Sequence, residues 1–202
     1  EYPEEPSKNY SYLGAYLRQG RTDVPEIESA KEKLRDLMES GRIQVIDGSY
    51  TVEDLRAILE AIPAGEVGAV FLDYIQRMST TKQAENRLTE LAHISDQLLQ
   101  IAKATGLPLI LGSQMNRGAG GEENRGSLEN LKGAGNLEED ANLVLSVYNE
   151  SAENKAADGG EWGREVTLEL KALKNRDGAP NGKAELLLDS WTGKVKEGAA
   201  KW

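Results

Sequence analysis

The sequence of 202 residues predicts an α/β fold, with a mostly parallel sheet flanked by helices and a C-terminal β-hairpin. Between residues 65 and 112, an apolar strand, a long amphipathic helix and a second apolar strand alternate. This order is typical of parallel strands joined by a right-handed crossover. Two strands with alternating polar and apolar residues follow near the C-terminus. Sheets of this kind bind ligands near the carboxyl ends of their strands.

The first predicted helix begins at Asp23, whose carboxylate can accept hydrogen bonds from free backbone N–H groups. Pro25 suits the first turn, and Glu26 completes a capping box. Apolar residues then recur at helical spacing until Gly41, which ends the helix.

Three segments lead from this helix to the predicted sheet. Residues 43–46 are short and β-branched, which predicts a strand. Thr51 and Asp54 cap a second helix. Residues 65–73 form an almost continuous apolar run, which is typical of a strand covered on both faces.

A long helix separates this run from the next apolar strand, residues 107–112. Gly106 and Pro108 stop the helix. Residues 116–127 are polar and rich in glycine, which predicts a flexible loop. Further strands are predicted at residues 143–148, 165–171 and 183–189. The inward face of the long helix is predicted to consist of Leu88, Leu91, Ala92, Ser95, Leu98, Leu99 and Ala102.

The composition restricts the kinds of site that the protein can contain. Without cysteine and with one histidine, it has no disulfide, no cysteine-ligated zinc and no histidine-rich metal site, so any metal is expected to be a hard cation on oxygen ligands. The net charge of −10 argues against a generally basic nucleic-acid surface but leaves room for a local groove. No apolar run has the length of a membrane span and no signal peptide is recognisable, which predicts a soluble, cytoplasmic protein with no membrane partner.

Polar residues follow both strands of the predicted parallel sheet. Asp73 ends the first strand, where its carboxylate would be placed to organise the Mg²⁺ of a nucleotide, usually through water. Ser113 and Gln114 end the next strand and add hydrogen-bonding groups beside it. The alternative is an aspartate that only ends a strand and turns the chain.

Four stretches of the sequence together resemble the replicative DNA helicases of the DnaB family in their order and spacing. The resemblance covers nearly the whole chain and is to the family's C-terminal RecA-like domain, so it implies a single RecA-like domain over residues 1–202. The stretches are residues 70–76 (VFLDYIQ), 113–117 (SQMNR), 128–148 (LENLKGAGNLEEDANLVLSVY) and 174–178 (KNRDG).

The resemblance implies a role in ATP hydrolysis for five residues. Asp73 matches the Walker B aspartate that positions Mg²⁺, and Gln114 matches the glutamine that senses the γ-phosphate and links it to the DNA-binding loops. Glu1 is the candidate base that polarises the attacking water. Lys174 and Arg176 match cations that enter the ATP site of the neighbouring subunit, where they stabilise charge on the transferred phosphoryl group.

The resemblance also implies contacts with single-stranded DNA. The turn that contains Lys132, Gly133 and Gly135 matches the family's phosphate-binding turn, where glycines let backbone N–H groups approach a phosphate. At Gly133 the sequence departs from the family, in which a polar or acidic residue is more usual. Arg117 and Arg125 in the glycine-rich loop are further candidates.

The function expected from the resemblance is an ATP- and Mg²⁺-dependent replicative DNA helicase. It would act as a homo-oligomeric, hexameric ring on single-stranded DNA, with a primase or a helicase loader as a further partner. One alternative is a RecA-superfamily recombinase or KaiC-like ATPase, which would share the Asp73 strand but lack the match at residues 174–176. The other is a non-enzymatic RecA-like binding module.

A phosphate-binding loop is missing from the sequence. No GxxxxGK followed by serine or threonine occurs in it. In the family this loop lies just upstream of the segment that resembles residues 1–3. We therefore expect the chain to be the C-terminal part of a longer protein and not to bind ATP tightly by itself.

Overall fold

The computed structural model describes Gly20 and residues 23–114, 136–149, 165–179, 181–190 and 193–201. The predicted glycine-rich loop at residues 116–127 lies outside these ranges. The first part contains helix α1 (Pro25–Glu39), helix α2 (Val52–Ala61), strand β1 (Val70–Leu72), a 3-10 turn (Ile75–Arg77), helix α3 (Arg87–Thr105) and strand β2 (Leu109–Leu111). The later part contains helix α4 (Leu137–Asp140), strand β3 (Leu143–Asn149), strand β4 (Glu165–Asn175), strand β5 (Lys183–Asp189) and strand β6 (Val195–Lys201).

The strands form two sheets. Strands β1 and β2 pair in parallel, with Val70 opposite Leu109 and Leu72 opposite Leu111. The other sheet has the order β3-β4-β5-β6, and β5 and β6 are antiparallel. A parallel pair with a helical crossover, followed by C-terminal antiparallel strands, confirms the predicted α/β class.

The chain divides into two compact units. One consists of the described residues up to Asp47 together with those in Val147–Leu170 and from Lys183 onward, and the other of the described residues in Gly48–Ser146 and Lys171–Gly182. In the first unit, α1 buries Ile27, whereas Leu34 and Met38 on the same helix are exposed. The second unit contains β1, β2 and the candidate site.

Helix α3 provides the centre of the core of the second unit. Its residues Leu91, Ile94, Leu98 and Ile101 are almost completely buried, at alternating spacings of three and four residues that keep them on one face. Each such burial stabilises the fold by roughly 1.5–3 kcal/mol. The predicted inward face of this helix is only partly right, because Leu88 in the first turn is 52% exposed. The core also contains Val52, Leu59, Ile75, Met78 and Leu137.

Among the described residues, strands β1 and β2 are covered on one face only, so the prediction of a strand covered on both faces is wrong for this part of the chain. Side chains alternate across a strand. Val70 and Leu72 pack against the core, whereas Phe71 points to the other face and is 77% exposed. Ile110, its partner on β2, is also exposed.

Two further differences concern strands. Residues 43–46 form no strand, and Val45 and Ile46 are exposed. Although the segment is mostly apolar and β-branched, the described residues provide no neighbouring strand with which it pairs. Strand β6 was not predicted, because its sequence VKEGAAK lacks an alternating pattern.

The helix ends show which capping signals were decisive. Thr51 begins α2 with a complete capping box, in which the Asp54 N–H donates to Thr51 Oγ1 at 3.1 Å and the Thr51 N–H donates to the Asp54 carboxylate at 2.9 Å. The Thr51 hydroxyl also donates to the Asp54 carboxylate at 2.7 Å, and this bond together with the one from the Thr51 N–H lowers the pKa of Asp54. The cap expected from Asp23 is wrong, since α1 begins after Val24 without a side-chain cap. Gly106 ends α3 in the left-handed conformation, as predicted.

Glu53 on α2 fastens the segment that follows the 3-10 turn. Thr80 Oγ1 donates to Glu53 Oε1 at 2.5 Å, and the Thr81 N–H donates to Oε2 at 3.1 Å. Burial alone raises the pKa of Glu53, but the hydrogen bonds from Thr80, Thr81 and Thr51 stabilise the charged form and together lower the pKa from 4.5 to about 2.

We expect Thr51→Ala to lower the free energy of unfolding by about 1 kcal/mol, because the first turn of α2 loses its side-chain acceptor. Urea denaturation measures the difference. Thr51→Ser is the matched control and should unfold like the wild type, since serine caps a helix equally well. Equal losses in the two variants would show that the hydroxyl group is not the cause.

The Glu53 carboxylate should make stability depend on acid pH. Its pKa is lower in the folded than in the unfolded state, so its contribution is present above pH 4.5 and is lost as the pH falls from 4.5 towards 2. The side chain is 37% exposed, and the effect is therefore modest. In urea denaturation, the difference between wild type and Glu53→Gln should close across this range. Thr80→Val should weaken this pH dependence. A difference that is constant with pH would contradict the assignment.

Candidate functional site

The chain segments that leave β1 and β2 are hydrogen bonded to each other. The Gly112 N–H donates to the Leu72 carbonyl at 2.9 Å, and the Ile75 N–H donates to the Gly112 carbonyl at 3.0 Å. These bonds continue the parallel register beyond the last strand residue. The two strand ends that the sequence pattern indicates therefore lie side by side.

Asp73 follows β1 directly, and its side chain is exposed. Within the part of the chain that the structure describes, its carboxylate has no hydrogen-bond or ion-pair partner. It lies against Gly112, where an added Cβ atom would stand 3.5 Å from Asp73 Oδ1 and 3.3 Å from Tyr74 Cβ. A Cβ atom at this position would crowd Tyr74, so Gly112 permits the close approach of the two strand ends.

Gln76 joins the two strand ends through its side chain. Its Nε2 donates to Ser113 Oγ at 2.9 Å and to the Gln114 carbonyl at 3.3 Å. Its Oε1 accepts the Gln114 N–H at 3.2 Å. The carboxamide therefore holds both backbone groups of Gln114.

Arg87, the first residue of α3, holds the backbone of the same turn. Its Nη2 donates to the Gln76 carbonyl at 2.7 Å and to the Met78 carbonyl at 2.9 Å. Its Nη1 forms an ion pair with Glu90 at 2.6 Å. The guanidinium thus connects the 3-10 turn to the long helix.

Lys174 and Arg176 both contact the C-terminal end of α4. Lys174 Nζ donates to the carbonyl oxygens of Glu138 at 2.6 Å and of Glu139 at 3.0 Å. Arg176 donates to the Glu139 carbonyl at 3.1 Å and to Asn142 Oδ1 at 2.9 Å. Both cations therefore bind the same end of α4. They occupy carbonyl groups that a helix end leaves without partners and that favour positive charge.

Helix α4 is attached to the core through one hydrogen bond and one buried side chain. The buried Ser95 hydroxyl on α3 donates to Asp140 Oδ2 at 2.5 Å, and Leu137 is buried in the same core. The position at which Lys174 and Arg176 bind is therefore set by α3.

The other predicted site residues have no described structure. Glu1, Arg117, Arg125, Lys132, Gly133 and Gly135 lie outside the described residues. Among the described residues, no helix is both long enough and apolar enough to span a bilayer.

The residues at the strand ends suit Mg²⁺ better than a metal that needs a protein cage. The described part of the chain contains no cluster of three or more acidic, histidine or cysteine residues. Mg²⁺ keeps several water ligands and is commonly held by one or two carboxylates together with substrate phosphates. The exposed carboxylate of Asp73 fits this donor set.

Gln76 and Arg87 belong to the site but were not predicted from the sequence. Gln76 lies within one of the stretches that carry the resemblance, three residues after Asp73. A polar residue so close to a candidate carboxylate is a signal, but its hydrogen-bond partners are 37 and 38 residues away in sequence. Only the fold identifies them.

Comparison with known proteins shows a helicase family. Residues 12–196 match the family of DnaB-like helicase C-terminal domains. The replicative DNA helicase DnaB of Mycoplasma pneumoniae is 34% identical over 170 residues, which are 79% of this chain and 34% of that protein. The replicative DNA helicase DnaB of Helicobacter pylori is 32% identical over 136 residues, which are 65% of this chain and 28% of that protein. The chain thus spans about a third of the length of these relatives.

Solved structures show the same fold. One of them, described as an ATPase domain, superposes with a TM-score of 0.73 at 21% identity, and the match covers 94% of this chain and 68% of that one. A DnaB-like replicative helicase, described with its interactions with primase, gives a TM-score of 0.72 at 21% identity over 95% of this chain and 49% of that one. The α/β fold is therefore RecA-like, and the chain belongs to the family of DnaB-like helicase C-terminal domains.

Proposed function

We propose that this chain forms the RecA-like motor domain of an ATP-dependent replicative DNA helicase. The observation that carries the proposal is the exposed Asp73 carboxylate, without a partner among the described residues, at the carboxyl end of β1 and beside the Gln114 strand end. The relatives of this chain reported above are named replicative DNA helicases. Their family assignment favours this function over a recombinase, a KaiC-like ATPase or a non-enzymatic module.

In this proposal the nucleotide lies at the edge formed by the ends of β1 and β2. Asp73 would hold Mg²⁺ through water, and the ion, when bound, neutralises charge on the phosphates. Gln114 would respond to the γ-phosphate, and Glu1 would polarise the attacking water. The proposal also requires a phosphate cradle, which these 202 residues do not provide.

Lys174 and Arg176 would serve the ATP site of a neighbouring subunit in a hexameric ring. Both cations now donate to neutral carbonyl oxygens of their own chain. A phosphate oxygen carries negative charge and a carbonyl oxygen does not, so a phosphate adds Coulomb attraction and is the better acceptor for either cation. In the proposal, the two side chains therefore leave the α4 carbonyls for a phosphate when a neighbouring nucleotide binds.

Single-stranded DNA would contact the segment that follows Gln114. The proposed contacts are Arg117, Arg125, Lys132 and the glycines at 133 and 135. The overall charge of −10 opposes DNA binding by the protein as a whole, so the contacts must be local and rely on backbone N–H groups as well as cations. A primase or helicase loader is a further proposed partner, since one structural relative is described with primase.

Asp73→Asn should reduce ATP hydrolysis by the full-length protein roughly 100-fold or more, because the amide has lost the charge that orients the metal. The assay compares hydrolysis with and without single-stranded DNA. Asp47→Asn, the same change at another exposed aspartate, is the control and should be fully active. Activity retained in Asp73→Asn would refute the site. An inactive wild type of full length would instead favour the non-enzymatic module.

Mixed rings test whether Arg176 acts on a neighbouring subunit. Arg176→Ala subunits and Asp73→Asn subunits, each inactive alone, should regain part of the activity when mixed, because some interfaces then combine an intact carboxylate with an intact arginine. The double variant Asp73→Asn/Arg176→Ala mixed with either one should not recover.

Asn142→Ala serves as the matched control in this experiment. It removes the side chain that holds Arg176 within its own chain but leaves the cation intact. It should therefore complement Asp73→Asn as well as the wild type does. No recovery by Arg176→Ala at any mixing ratio would argue against a site shared between subunits.

A further inference from the structure

We propose that Gln76 is a positioning residue that transmits the state of the Asp73 strand end to Gln114, an inference that rests on the proposed function. The carboxamide of Gln76 makes three hydrogen bonds to Ser113 and Gln114, at 2.9, 3.2 and 3.3 Å. Within the described part of the chain, this side chain connects the residues after β1 with those after β2. The connection thus joins the candidate metal carboxylate to the candidate γ-phosphate sensor.

The backbone of Gln76 is held firmly on the Asp73 side of this connection. Ile75 is fully buried and its N–H donates to the Gly112 carbonyl. Arg87 binds the carbonyl groups of Gln76 and Met78. The 3-10 turn therefore cannot shift without disturbing the core and the start of α3.

Gln114, in contrast, is exposed, and the Gln76 side chain is hydrogen bonded to its backbone. Its N–H and its carbonyl both bind the Gln76 carboxamide, so the direction in which its side chain leaves the backbone depends on Gln76. Because the turn on the Asp73 side is fixed, Gln76 holds Gln114 in a defined position relative to the Asp73 strand end, and through this side chain a nucleotide bound at that strand end would act on Gln114. From Gln114 the chain continues into the segment proposed to bind DNA.

A carboxamide is the group that this connection requires. Nε2 supplies two donated hydrogen bonds, and Oε1 accepts one. Leucine has a similar size but supplies neither donor nor acceptor, so Gln76→Leu removes all three bonds. Ser113→Ala removes only the bond to the Ser113 hydroxyl and leaves the buried turn untouched.

The first measurement is hydrogen exchange of the Gln114 amide in the full-length protein, which does not depend on activity. Gln76→Leu should accelerate this exchange, because the amide loses its acceptor. Ser113→Ala should leave it close to the wild-type rate, since the bond to Oε1 remains. Unchanged exchange in a folded Gln76→Leu variant would overturn the inference.

The second measurement is ATP hydrolysis with and without single-stranded DNA. Gln76→Leu should lose about tenfold in DNA-stimulated kcat, with a smaller change in the KM for ATP, because the lost hydrogen bonds act on coupling and not on nucleotide binding. Ser113→Ala should lose less, and the double variant should lose no more than Gln76→Leu alone. Additive losses would mean that the two side chains act separately and would overturn the connection.

The two proposals fail in different ways. In one outcome, Asp73→Asn is inactive, whereas Gln76→Leu keeps its full DNA stimulation although its Gln114 amide exchanges faster. The coupling role is then wrong and the proposed function stands. If the wild type does not hydrolyse ATP at all, the proposed function fails and the coupling role fails with it. If Gln76→Leu does not fold, Gln76→Glu is used instead, because it keeps the size and the acceptor but loses both hydrogen bonds that Nε2 donates, and undiminished DNA stimulation in that variant overturns the inference.

Discussion

The parallel pairing of β1 with β2 is the interaction on which the candidate site depends. Its register, Leu72 opposite Leu111, brings Asp73 and the residues after Gly112 to the same edge. Three-residue strands provide few ladder hydrogen bonds, so the pairing must be supported from outside. The inner faces of both strands pack on the core around α3, and Gly112 allows the backbones to approach where a side chain would crowd Tyr74.

Helix α3 carries the support for every described part of the site. Its first residue, Arg87, holds the turn that presents Gln76, and Ser95 near its middle fixes α4. Helix α4 in turn offers the carbonyl groups that receive Lys174 and Arg176. One well-buried helix thus positions both the strand ends and the cations, although these groups are far apart in sequence.

The sequence predicted the class of fold and the adjacency of the two strand ends, because hydrophobic runs, helix caps and strand order are local or topological signals. Thr51 and Gly106 act as their residue types indicate. The exposure of Phe71 was not predictable, since an apolar run does not reveal how many of its faces are covered. The contacts of Gln76 and Arg176 were not predictable either, because side-chain hydrogen bonds across 34 to 38 residues depend on the finished fold.

The central claim is that the edge formed by Asp73 and Gln114 is a nucleotide site completed by a neighbouring subunit. Its most direct test is a cryo-electron microscopy structure of the full-length protein with single-stranded DNA, Mg²⁺ and a non-hydrolysable ATP analogue. We expect the metal beside the Asp73 carboxylate, Gln76 still bonded to Gln114, and the Lys174 and Arg176 side chains of the adjacent subunit on the phosphates. A nucleotide bound away from the ends of β1 and β2, or both cations still on their own α4 carbonyls in every nucleotide-bearing subunit, would contradict it.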